Sequence, residues 1–103
     1  MAGLKKSLIS VELANGNVVG PERIIFADKI RLEKTARANG WDLSRDEVRM
    51  GSFFAYAVLE RTGQLPRDGM TYEELLPELL DLQVSVEDPS EDDEDPTPAA
   101  TSA

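Results

Sequence analysis

Seven consecutive residues, Phe53-Phe54-Ala55-Tyr56-Ala57-Val58-Leu59, constrain this chain more than any other feature. Ser44 with Glu47 three residues later has the spacing of a capping box, and Gly63 is a natural stop. Together they predict a helix from about Arg45 to Thr62 whose centre is apolar on nearly every side. Such a helix is either buried from several directions or covers a partner. A chain of 103 residues has room for one modest core, so every other element must pack around this one.

The first of those elements reads as a hairpin. Ile9, Val11 and Leu13 alternate with Ser10 and Glu12, the period of a half-buried strand. Asn15-Gly16 follows at once and tolerates the positive φ of a tight turn, so Asn17 to Gly20 is the expected return strand. A lone hairpin is marginal in water and must lie on helices.

Pro21 and Glu22 suit a helix start, and Arg23 to Asn39 meets no breaker before Gly40, which predicts the first helix. Gly40 supplies the left-handed residue that ends it, and Trp41 can fold back onto Ala36 as a structural plug. Ile25, Leu32 and Ala36 form one apolar stripe of this helix; Phe26 and Ile30 form a second, spare one. Thr71 with Glu74 is another capping box, predicting a third helix through Leu75, Leu76, Leu79, Leu80 and Leu82. Pro77 should kink it or start it afresh. From Glu87 onward no large apolar residue occurs, and the segment is expected to be disordered. The expected architecture is therefore α+β, mainly α: an N-terminal β-hairpin, three helices and a disordered acidic C-terminal tail, with a folded domain over residues 1–86 and the tail over residues 87–103.

Charge sharpens that division. The net charge is −9, yet all 11 Lys and Arg lie in residues 1–67 beside 8 acids, while residues 68–103 hold 12 acids and no base. An acidic end repels nucleic acid and membrane surfaces and keeps an apolar domain in solution. The run Glu91-Asp92-Asp93-Glu94-Asp95 lacks the glycine and the flanking helices of a calcium loop and reads as a solvated tail. Arg31, Lys34 and Arg37 are interleaved with Glu33, at spacings that suit i,i+4 ion pairs of a solvated face; they do not make the basic footprint of a nucleic-acid binder.

The chain has no Cys and no His. That removes disulfides, thiolate chemistry, zinc-finger spacings and the commonest general base. No phosphate-cradling loop and no nucleophile beside a base is visible. The expectation is an interaction protein that is not an enzyme, with no catalytic, cofactor or metal site. The longest apolar run falls far short of the roughly 20 residues of a membrane span, so neither membrane insertion nor export is expected. The candidate partner-binding residues are Phe53, Phe54, Tyr56 and Leu59 of the second helix and Leu75, Leu76, Leu79 and Leu80 of the third. Spare apolar surface on these helices fits self-association or a partner helix.

The string Phe26-Ala27-Asp28-Lys29-Ile30-Arg31-Leu32-Glu33-Lys34-Thr35-Ala36-Arg37-Ala38-Asn39-Gly40-Trp41 resembles the tail assembly chaperones of long-tailed bacteriophages, especially those of actinobacterial hosts. Members typically show a Glu-Lys-Thr-Ala helix running into Gly-Trp. An aromatic-alanine helix comparable to Phe53 to Gly63 follows, and then an acidic, leucine-bearing segment comparable to Thr71 to Val84. The resemblance spans roughly residues 8–84 and departs at Tyr56-Ala57, where relatives often carry Trp-His. It implies a factor of the host cytoplasm, absent from the mature virion, that binds the aggregation-prone tape measure protein while the tail tube polymerises. It also implies a longer frameshifted form, which joins the chain itself among the expected partners. Two other functions compete: a small structural or head-tail joining protein of the virion, and an acidic regulator that mimics nucleic acid.

Overall fold

A computed structural model describes residues 4–87 of the chain. The elements run β1 (Lys6–Leu13), β2 (Val18–Arg23), α1 (Phe26–Asn39), α2 (Glu47–Arg61), a single turn α3 (Tyr72–Leu75) passing into a 3₁₀ turn (Leu76–Glu78), and β3 (Leu79–Glu87). The three strands form one antiparallel sheet in the order β2-β1-β3. The acidic residues beyond Glu87, expected to form a disordered tail, lie outside the described residues.

The expected mainly α architecture, a two-stranded hairpin with three full helices, is overturned by a third strand, while the N-terminal hairpin and the two long helices are present. Where a third helix was expected through Leu82, only one turn forms, and the chain continues as the longest strand of the sheet. The capping box is present: Thr71 Oγ1 accepts the Glu74 N–H (3.2 Å), and Glu74 Oε1 accepts the Thr71 N–H (3.0 Å). The box starts a helix that Pro77 then stops, because proline has no N–H to donate and crowds the preceding turn. Beyond it, Leu80, Leu82, Val84 and Val86 alternate with Asp81, Gln83, Ser85 and Glu87, a period-two pattern. β1 is central in the sheet and needs a partner on each edge; β3 is the second one, from Lys6 opposite Glu87 to Leu13 opposite Leu79. Glu87 thus belongs to the strand, one residue past the expected domain boundary.

A second correction concerns Pro21. It sits in β2 and not at the start of α1. Ile9 faces Glu22 and Val11 faces Val19, so Gly20 and Pro21 together oppose Ser10 as a bulge. An edge strand at a bulge is where proline's missing donor is tolerated. Gly20 is required there: its φ is +108°, and a Cβ would lie 2.5 Å from the Ile9 carbonyl oxygen. Helix α1 starts later, after Ile25, whose N–H is accepted by Asp28 Oδ2 at 3.0 Å. Its end is as expected: Gly40 is left-handed, and the Trp41 N–H reaches the Ala36 carbonyl at 2.9 Å.

Ile9, Val11 and Leu13 point into the core from β1, and α2 lies over them with Phe53, Ala55, Tyr56, Ala57, Val58 and Leu59 buried. The apolar all-round helix is thus enclosed by the sheet, α1, α3 and the aromatic plug. Trp41 packs edge-on to Phe53 (centroids 6.1 Å apart) and against Tyr72 (5.7 Å), and the Arg49 guanidinium covers its other side at 4.8 Å. Helix α2 begins at Glu47, later than its spacing suggested. Ser44 Oγ turns back to Asp42 (2.6 Å) and caps nothing.

One ion pair fastens the two long helices to the sheet. Asp28, only 1% exposed, receives Arg61 in a two-pronged contact, Nε to Oδ1 at 3.1 Å and Nη2 to Oδ2 at 3.0 Å. The same Nη2 donates to the Arg23 carbonyl at 2.9 Å. The Arg61 pKa is raised above the ordinary arginine value, chiefly by the hydrogen bond to Asp28.

Candidate functional site

Among the described residues, sheet and helices leave a sizeable concavity between the first half of α2 and β3. It has a volume of about 520 Å³ and is lined by Glu47, Val48, Gly51 and Ser52 of α2, by Leu76, and by Leu79, Leu80, Asp81 and Leu82 of β3. Its origin is a packing consequence. Gly51 lets β3 approach the helix, and Leu82 Cδ1 would stand 3.3 Å from a Cβ placed there. Beside that contact Val48 is left 83% exposed, Leu80 60% and Leu76 40%. Farther along β3, Val84 and Val86 face the same side as Ile9, opposite Val84, and are also largely exposed. The other face of the sheet carries Ser10, Glu12, Asp81 and Gln83 beside a shallower depression.

The polar groups of the groove are of two kinds. Ser52 Oγ is held inside, donating to the Arg49 carbonyl (2.9 Å) and hydrogen-bonded to the Tyr72 hydroxyl (2.7 Å). Glu47 lines the groove from α2, and Asp81 lines it from β3 with its carboxylate turned back onto the Leu82 N–H. The cations on the same part of α2 are engaged elsewhere: Arg45 pairs with Asp42 and Arg49 with Asp46. The groove can therefore bury apolar side chains inside an acidic rim. Among the described residues no cluster of three or more acidic groups is placed to hold a metal ion, and no helix is long and apolar enough to cross a membrane.

The eight candidate partner-binding residues separate by environment. Phe53, Tyr56, Leu59 and Leu75 are buried in the core. Phe54 is half-buried against it, while Leu76, Leu79 and Leu80 come together in the groove. Val48, Gly51 and Leu82 were missed. The alternation from Leu80 to Glu87 could have located Leu82, whereas Val48 is a single apolar residue on a polar helix start and carries no periodic signal. The spare stripe of α1 is real as exposure, with Phe26 74% accessible. The ion pairs expected along α1 do not form: neither Lys29–Glu33 nor Glu33–Arg37 closes. Arg31 instead reaches Glu60 of α2 at 2.6 Å and lies 5.5 Å from the Tyr56 ring centroid.

Comparison with protein-family models, with curated proteins and with solved structures finds no match for this chain.

Proposed function

We propose that this chain is a tail assembly chaperone of the long-tailed bacteriophage type, which binds apolar helical segments of the tape measure protein and keeps them from aggregating until the tail tube encloses them. The observation that carries the reading is an open apolar groove between α2 and β3, flanked by Leu76 and Leu80. Exposed contiguous apolar surface at a concavity marks an interaction site. The resemblance of Phe26 to Trp41 supplies the class of partner. The protein acts in the host cytoplasm and leaves before the particle is complete. Its acidic C-terminal sequence holds loaded complexes apart by like-charge repulsion.

Co-expression with the tape measure protein encoded in the same genome tests this. The expected result is a soluble complex by pull-down and sedimentation. An insoluble tape measure, with this chain free, would instead favour the virion-component alternative, and mass spectrometry of purified particles would then have to find the chain there.

A further inference from the structure

We infer that the groove between α2 and β3 receives a cationic amphipathic helix, one whose apolar anchors are flanked by Lys or Arg. This rests on reading the chain as a cover for apolar segments, and it specifies where they dock and what charge they carry.

Three occupants compete: a second copy of the chain, the chain's own C-terminal sequence, and a foreign segment. Charge decides between them. From Asp68 to Glu87 the sequence holds six carboxylates and no Lys or Arg; one of these, Asp81 of β3, lines the groove together with Glu47 of α2. A symmetric contact between two copies would press these rims together, and like charges brought together at an interface are costly. Residues 88–103 bring six more carboxylates, again no base, and no apolar side chain larger than alanine or proline. That segment can neither fill an apolar groove nor neutralise its rim. A segment with leucine-like anchors and flanking lysines does both.

The occupant is helical because the strand is poorly disposed to extend the sheet at this point. The Leu82 N–H is already accepted by the Asp81 carboxylate at 2.8 Å. An added strand would compete with that charge-assisted bond, whereas a helix docks by side chains alone. Val48, Leu76 and Leu80 then become the contacts for residues at i, i+3 and i+4 of the incoming face.

The test titrates the full ¹⁵N-labelled chain with an 18-residue peptide carrying leucines on one helical face and lysines elsewhere. Two controls are used: the same peptide with glutamates for lysines, and a lysine peptide with its leucines scattered. Saturable shifts at the amides of Val48, Gly51, Leu80 and Leu82 are expected with the first peptide alone. Leu80→Glu should weaken binding at least about tenfold, and Val48→Asp, at an exposed helical position, should do the same if the first variant folds poorly. Shifts confined to residues 88–103, equal binding of either control, or a dimer in sedimentation that buries the groove would each overturn the inference. Its failure is separable from that of the chaperone reading. A tape measure kept soluble by both wild type and Leu80→Glu sinks the groove alone. Peptide binding in the groove without tape-measure solubilisation sinks the chaperone reading alone.

Discussion

Replacing Arg61 with methionine keeps the length and apolar stem of the side chain and removes its fork. Three hydrogen bonds disappear, two to Asp28 and one to the Arg23 carbonyl. Asp28, 1% exposed, keeps only the Ile25 N–H. Breaking a fully buried pair costs about 3 to 5 kcal/mol because the surviving charge is left uncompensated. Arg61 is one-third exposed, so water can reach the vacated carboxylate, and the expected cost falls to about 2 to 3 kcal/mol. For a domain of this size that lowers Tm by about 10 to 20 °C. Asp28→Asn removes the charge but keeps an acceptor, so it should cost less, and the double variant should cost less than the two singles added. Urea unfolding followed by far-UV circular dichroism measures all three. Because the Arg61 pKa is raised, its share of the stability is complete below the ordinary arginine pKa and is lost only as pH climbs beyond it, so it is unchanged across neutral pH. A loss under about 0.5 kcal/mol for Arg61→Met would refute the view that this pair clamps α1 and α2 to the end of β2.

Gly20→Ala forces a Cβ against the Ile9 carbonyl at a φ of +108°; a cost above about 2 kcal/mol is expected in the same urea assay. Gly51→Ala meets only the mobile end of Leu82, and the gain in helix propensity of about 0.5 to 1 kcal/mol should leave the protein equally or slightly more stable. A marked loss would mean that β3 cannot yield there. Removing residues 88–103 should leave Tm unchanged within about 2 °C, since every strand pairing of the sheet lies within residues 6–87, while lowering solubility and retaining tape-measure binding. Lost binding would give the acidic sequence a role in recognition.

Local signals in the sequence were reliable where the deciding interaction is local. Asn15-Gly16 turns the hairpin, with Asn15 Oδ1 accepting the Asn17 N–H at 2.9 Å, and Gly40-Trp41 ends α1 through one backbone bond. The run from Phe53 to Leu59 was rightly read as the element around which others must pack. It also suggested partner contacts, because a sequence does not say how much cover a sheet will give. The failure at β3 has the same root. Thr71, Glu74 and five leucines are a strong local helix signal, and only the vacant edge of β1, more than sixty residues earlier, makes a strand the better use of Leu79 to Glu87. Pro21 illustrates the reverse error: its fixed φ suits both a helix start and an edge-strand bulge, and the choice depends on Ser10 across the sheet.

The direction in which β3 runs would bear on any longer form of the protein. The strand leaves the groove at Leu80 and ends at Glu87, opposite Lys6. At about 3.3 Å per residue those seven steps carry the chain about 23 Å from the docking face. Glu87 itself therefore stands at the far rim of the sheet, so that is the point from which any longer sequence would be joined. Two products of different length would share one grip and differ in what they hold at a distance from it.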